Sequence, residues 1–459
     1  MKFLPVVSFC FIAALSTNFT YAQKKQNTQV KKPAIKNVEI APFVFNRSLW
    51  EANISDFQSN PSNKKYKFKW QSEMNKTLRS EGLGFNLLGV RAGETIIISN
   101  KGKEVRGVSI SFFNKGDNGS MPADRLRQLT GQLKAKISKK LSVTPKTERT
   151  SGTVELDKNT WKVDGTSYSL EQSISARGVS EFLRLRVMSS KSASKGESTA
   201  NRSSLRANVV RDNESGDLFI DNIPMIDQGK KGYCACASAA RIYQYYGRTT
   251  DQHEIAQLAG SSARGGTSIA AMVGSLKKVT GRLNSRVNML YEYPKGISEG
   301  GYSRKLESGL KEMMRDVNSY QQLAKKNGKK SITINGKGNY SRVSSKEYIS
   351  FAAFTSECDP ETFREVMMEK NSFARFESKI REYVDQGIPI GWCLNLGMFP
   401  EPGLPQARGG HMRLIIGYNK EKKEVIYTDS WGKGHAKKSM DLGKAFCMTN
   451  ALLVLPPTK

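Results

Sequence analysis

The sequence predicts an α+β protein in two parts: an N-terminal α+β domain, then a second domain whose helical portion precedes an antiparallel sheet. Three observations predict this class. Short apolar runs in the first part (Phe85 to Leu88, Thr95 to Ile98, Val108 to Phe112) have strand length and are followed by one long helical pattern. A Ser/Lys-rich stretch, 189–207, interrupts the apolar patterning and reads as a linker. Beyond it, helical patterning gives way to four apolar strands in about the last seventy residues.

At the N-terminus, Met1-Lys2 is a short basic start and Phe3 to Leu15 is almost wholly apolar. A polar stretch and the exit Tyr21-Ala22 follow, which is the layout of a secretory signal peptide over 1–22, and the expectation is export to the periplasm or the extracellular space. The apolar run is too short for a bilayer core of about 30 Å, and no later segment is apolar enough to cross one. Residues 23–37 are polar and Lys-rich, a flexible basic lead-in.

The first domain is expected over 38–188. Pro122 opens its helix, and Leu126, Leu129, Leu133 and Ile137 recur at helical spacing up to about Leu141. Trp161 to Val163 and Phe182 to Val187 read as further strands. This domain contains no His and no Cys, so its expected role is binding or scaffolding. The second domain is expected over 217–456, with strands Ile388 to Leu396, Met412 to Gly417, Glu424 to Thr428 and Ala451 to Leu455.

Composition narrows the function classes. The 459-residue chain has a net charge of +30, spread over both halves. Its paired lysines (Lys24-Lys25, Lys31-Lys32, Lys325-Lys326, Lys329-Lys330) are not interleaved with any nucleic-acid motif. An exported basic protein meets anionic envelope polymers, and no nucleic-acid partner is expected. Beyond Cys10 the cysteines are Cys234, Cys236, Cys358, Cys393 and Cys447, an odd number that leaves at least one thiol unpaired. No cofactor and no metal are expected: Cys234-x-Cys236 lacks the thioredoxin spacing, and His253-Glu254-Ile255-Ala256-Gln257 is one ligand short of His-Glu-x-x-His. Asp251 and Glu254 instead form a capping box, with His253 read as a surface residue of the first helical turn, and His435 sits in a basic turn with no evident partner.

One segment concentrates chemistry. Asp227-Gln228-Gly229-Lys230-Lys231-Gly232-Tyr233 leads into a small-residue helix that runs to Tyr246, with Cys234 at or beside its N-terminus. A thiol at a helix N-terminus meets unpaired N–H groups and the positive end of the dipole, which favour thiolate. Gln228, six residues earlier, offers an amide donor for the oxyanion of an acyl-transfer intermediate. His411, after Gly409-Gly410, opens an apolar strand, and eighteen residues on the next strand ends in Asp429. In an antiparallel pair that end lies beside the start of its neighbour, where a carboxylate can orient the imidazole and the imidazole can activate the thiol. Cys236 points elsewhere around the helix and is read as packing.

The order Gln228, Cys234, His411, Asp429 resembles the papain-like superfamily, and Asp429-Ser430-Trp431-Gly432 is similar to its Asn-Ser-Trp-Gly signature. Locally the sequence is closer to the C39-like peptidases, relatives of the bacteriocin double-glycine leader peptidases. The matching pieces are Gln228-Gly229, Gly232-Tyr233-Cys234, Tyr245-Tyr246-Gly247, Gly266-Thr267-Ser268, Gly410-His411 and Asp429 to Gly432. The resemblance implies a cysteine-peptidase fold over about 217–456, with Cys234 as nucleophile, His411 as base, Asp429 as orienter and Gln228 at the oxyanion hole, and a peptide or protein as substrate. The chain departs from the leader peptidases in its export signal, in lacking a transporter, and in an insertion read as helical over about 297–373. Cleavage at double-glycine sites is therefore not carried over. Two other functions fit the same residues: an envelope amidase or endopeptidase acting on peptidoglycan, and a secreted binding protein that retains the fold.

Overall fold

A computed structural model describes residues 37–71, 77–80, 84–100, 104–150, 155–190, 200–229, 232–248, 250–261, 268–280, 285–329, 331–332, 340–343, 346–406 and 408–457. The expected signal peptide, nearly all of the lead-in, and Gly266-Thr267 lie outside these residues. The architecture is α+β, with two hydrophobic cores.

The first core lies under an antiparallel sheet of eight strands. In spatial order they are Phe68–Trp70, Thr77–Ser80, Glu94–Asn100, Glu104–Asn114, Ser180–Ser189, Thr166–Ile174, Leu156–Val163 and Lys146–Thr150. The expected helix spans Ala123–Leu141 and buries Leu126, Leu133 and Ile137, three of the four apolar positions its spacing marked, with Leu129 partly buried against the same core. Two polar links fix it to the sheet: Thr130 Oγ1 donates to Gln172 Oε1 at 2.6 Å, and Trp161 Nε1 donates to Ser138 Oγ at 3.0 Å.

The second core lies around another sheet, in the order Val209–Arg211, Asp217–Ile220, Gly409–Asn419, Ile390–Leu396, Thr449–Val454 and Asn288–Glu292. Glu424–Thr428 branches from Gly409–Asn419 and in turn pairs with Lys438–Asp441. All its pairings are antiparallel. Ile390–Leu396 and Thr449–Val454 are buried along their whole length, Asn395, Thr449 and Asn450 included, as strands covered on both faces are.

Two segments differ from the sequence expectation. Within 189–207, Arg202–Leu205 forms a helical turn with Leu205 buried in the second core, because one apolar residue in that polar stretch finds a pocket. The insertion over 297–373 is not wholly helical. Helices Arg304–Lys326, Phe351–Glu357 and Pro360–Met368 are accompanied by a hairpin of Tyr340–Val343 and Lys346–Ile349. Tyr340 to Ile349 has no sustained apolar/polar alternation, so a reading based on periodicity passes over that hairpin.

Candidate active site

Cys234 is the first residue of the helix Cys234–Tyr245. The N-cap, Tyr233, supplies no side-chain hydrogen bond, so the first backbone N–H groups stay directed at whatever lies before the helix. Ala235, Ala237, Ser238, Ala239 and Ala240 are all buried, and their small size lets the helix lie close on the strand Gly409–Asn419. Ser238 Oγ marks the approach, donating to the carbonyl of Met412 at 3.2 Å. Helix and strand therefore meet where the first carries Cys234 and the second carries His411.

The strand register explains the rest of the cluster. Leu414 pairs with Thr428, so Asp429, one residue past the strand end, falls opposite Arg413 and diagonal to His411. His411 and Arg413 are two apart and share a face. Both reach the carboxylate: His411 Nε2 lies 2.7 Å from Asp429 Oδ1, and Arg413 Nε lies 3.0 Å from Oδ2. The side chains of all three are fully excluded from solvent. Beyond Asp429, Arg413 also pairs with Glu401 at 2.9 Å and stacks over the Tyr427 ring, whose hydroxyl donates to Glu401 at 2.7 Å.

Electrostatics follow from these contacts. Burial alone would lower the His411 pKa, but Asp429 and the Cys234 sulfur outweigh it and raise the value to about 9. Burial raises the Cys234 thiol; interaction with the His411 ring, with help from the backbone of Met412 and Ala235, brings it below the ordinary thiol value. Asp429 is held below the usual carboxylate range, since His411 and Arg413 overcome the cost of its burial. The opposed shifts of thiol and imidazole favour a thiolate beside an imidazolium. With Nε2 committed to Asp429, the buried Nδ1 is the nitrogen left to serve the sulfur.

Gln228 is buried, and Ser430 holds it twice. Gln228 N donates to the Ser430 carbonyl at 2.8 Å, and Ser430 Oγ donates to Gln228 Oε1 at 2.8 Å. Fixing the amide oxygen orients the NH2 group on its opposite side. Trp431, the next residue, stacks on the His411 ring with centroids 4.2 Å apart and planes 8° from parallel. Arg241, fully buried in the Cys234 helix, donates to the carbonyl of Asp429 at 2.8 Å and to Thr428 Oγ1 at 2.6 Å, tying that helix to the carboxylate turn. Gln228, Cys234, His411 and Asp429 thus belong to one cluster.

Sequence reasoning gave no role to Arg413, Glu401 and Arg241, and quoted Trp431 only within the Asp429 to Gly432 signature. Arg413 was within reach of it: a buried-strand pattern with His and Arg two apart puts both on one face. His253 is not the surface residue expected. Its side chain is 10% exposed, Nδ1 lies 2.8 Å from Asp251 Oδ1, and its ring meets Tyr233 edge-on at 5.8 Å. The capping itself is present, with Asp251 accepting from the backbone of His253. His435 also has a partner, an edge-on contact with Trp431 at 5.6 Å. Cys236 is buried with its sulfur 3.4 Å from Ser261 Oγ, and burial pushes the thiols of Cys358 and Cys393 up to about 12 and Cys447 higher still.

Residues 312–449 match the sequence model of the Peptidase_C39 like family. That stretch contains His411, Asp429 and Trp431, whereas Cys234 and Gln228 precede it and join it through the contacts described above. No curated protein matches the chain. Among solved structures, it is similar to the crystal structure of xylellain, a cysteine protease from Xylella fastidiosa, at 12% identity. That alignment covers 57% of this chain and 91% of the other with a TM-score of 0.22, a likeness too slight to bear on the site. The family match makes the C-terminal part of the chain, over 312–449, similar to the Peptidase_C39 like family.

Proposed function

We propose that the protein is an exported cysteine hydrolase that cleaves peptide bonds with Cys234 as nucleophile, His411 as general base and acid, and Asp429 as the group that orients His411. The observation that carries this reading is the opposed pair of shifts, thiol down and imidazole up, at a helix start beside a buried His411–Asp429 contact of 2.7 Å. The thiolate attacks the carbonyl carbon, and negative charge gathers on the carbonyl oxygen. The Gln228 amide and the N–H groups at the Cys234 helix start stabilise that charge. The His411 imidazolium then gives its proton to the departing amine, leaving an acyl thioester on Cys234. Water, deprotonated by His411, releases the acid product and restores the thiol.

Export rests on the 1–22 sequence layout. Among the described residues no helix is long and apolar enough to cross a membrane.

The test is alkylation followed by turnover. Iodoacetamide should label Cys234 much faster than Cys236 near neutral pH, since the Cys236 sulfur is buried against Ser261 rather than beside an imidazole. A broad peptide library should then yield a substrate whose cleavage is abolished by Cys234→Ala. Equal labelling of the two thiols, or an inert wild-type protein, refutes the reading.

A further inference from the structure

The N-terminal unit carries no His or Cys of its own, yet its sheet sends two arginines into the neighbourhood of Cys234. Arg184, on the strand Ser180–Ser189, is 3% exposed. Its Nε donates to Glu171 at 2.7 Å on the adjacent strand, its Nη1 lies 3.0 Å from Asp251, and its Nη2 pairs with Glu254. Asp251 and Glu254 belong to the other unit, at the start of the helix Gln252–Ala259. Beside them, Ser173 Oγ donates to Gln257 Oε1 at 2.7 Å across the same junction.

From Asp251 the contacts lead on to the nucleophile. The carboxylate holds His253 Nδ1 at 2.8 Å, the His253 ring meets the Tyr233 ring edge-on, and Tyr233 is the N-cap of the helix that Cys234 begins. Arg184 and His253 keep the Asp251 carboxyl well below its usual range despite the cost of burial, so this junction stays charged. The second arginine, Arg79 on Thr77–Ser80, lies between Glu94 at 3.0 Å and Asp227 at 2.7 Å. Asp227 directly precedes Gln228 and accepts from the backbone of Gly229 at 2.7 Å. The oxygen that Arg79 holds, Asp227 Oδ2, and Gln71 Oε1 approach Gly432 so closely that a Cβ there would lie 3.2 Å from each. Gly432 follows Trp431, the residue stacked on His411.

We propose that Arg184 and Arg79 are positioning residues for the active centre: the N-terminal unit sets the placement of Cys234 and Gln228 by gripping Asp251, Glu254 and Asp227. Chemistry then depends on side chains from outside the unit that carries Cys234. Two guanidiniums, one buried and one partly so, each bridge a carboxylate of their own sheet to carboxylates of the other unit. They suit this task because the rigid fork spans partners that a single ammonium cannot. The inference rests on the hydrolase reading above, and its test separates the two.

The full-length chain is compared with Arg184→Ala, Arg184→Lys and Arg79→Ala. Two quantities are read: thermal melting, and the rate of Cys234 alkylation by iodoacetamide across about pH 5 to 10. Each alanine variant should melt cooperatively, yet label Cys234 about tenfold more slowly near neutral pH, as sub-ångström displacement from a reactive geometry does. The midpoint of the labelling profile should rise toward the ordinary thiol value of about 8.5. Arg184→Lys should fall between, keeping charge but not the fork. Should Arg184→Ala fail to fold, Arg79→Ala at its partly open site carries the test alone. Variants with lowered melting temperature but wild-type rate and midpoint reduce the arginines to stabilising contacts and overturn the inference. A wild-type Cys234 that labels no faster than Cys358 overturns the hydrolase reading, and this inference with it.

Discussion

Replacing Asp429 by Asn keeps shape and hydrogen-bonding oxygen while removing the charge. The amide oxygen can still accept from His411, so the ring should keep its place. The imidazolium, however, loses its nearest counter-charge at 2.7 Å inside a fully buried site. His411 stands at about 9 against an ordinary 6.5, despite burial that acts the other way. That difference is worth roughly 3 kcal/mol of imidazolium stabilisation, divided between Asp429 and the Cys234 sulfur. With most of it gone, the ion pair at neutral pH should weaken and turnover should fall on the order of a hundredfold. The sign is checkable. In the wild type, imidazolium is lost as pH rises through about 9, so peptide cleavage should decline there. In Asp429→Asn that alkaline limb should move toward neutrality, and Cys234 should need higher pH to be alkylated. The assay is the pH profile of peptide cleavage for both proteins, with alkylation as a second readout. An unmoved alkaline limb in the Asp429→Asn protein would refute the assignment of Asp429 as the partner that sustains the imidazolium.

Gln228→Ala should slow turnover by roughly a hundred- to thousandfold while Cys234 alkylation stays near wild type, since the amide acts only after attack; a silent substitution would leave the backbone N–H groups as the whole oxyanion site. Arg413→Met should lower stability by about 3 kcal/mol, seen as a reduced urea midpoint, because Glu401 loses its cation and buried Asp429 keeps only His411. An unchanged midpoint would show that water or rearrangement already satisfies both carboxylates.

Much of this site was legible because its parts are local. A small-residue helix after a glycine-bearing loop, a Gly-Gly-His strand start and an Asp-Ser-Trp-Gly strand end each declare their geometry within a few residues. Antiparallel register then brings the last two together. The contacts that were not legible are those that need three dimensions. Glu401 reaches Arg413 from a loop whose path no periodicity encodes. Arg241 looks from sequence like a solvated helix residue, yet faces inward because Asp429 and Thr428 take up its donors. The same limit hid His253: its capping-box neighbours suggest an exposed turn, whereas its ring lies between the Asp251 carboxylate and the Tyr233 ring. The helical turn at Arg202–Leu205 shows the converse, where a composition that argues for a linker still yields one anchored residue.

The contrast among the thiols has a practical side. Five cysteines among the described residues stand outside any disulfide, and three of them, Cys358, Cys393 and Cys447, are held by burial far above the range in which they react near neutrality. Cys236 is equally hidden. Native molecules should therefore take up one alkyl group in a brief pulse, and unfolded molecules all of theirs. Read by intact mass, the chain becomes its own gauge of folding, each molecule recording whether its core was open when the reagent arrived, with no dye, tag or substrate required.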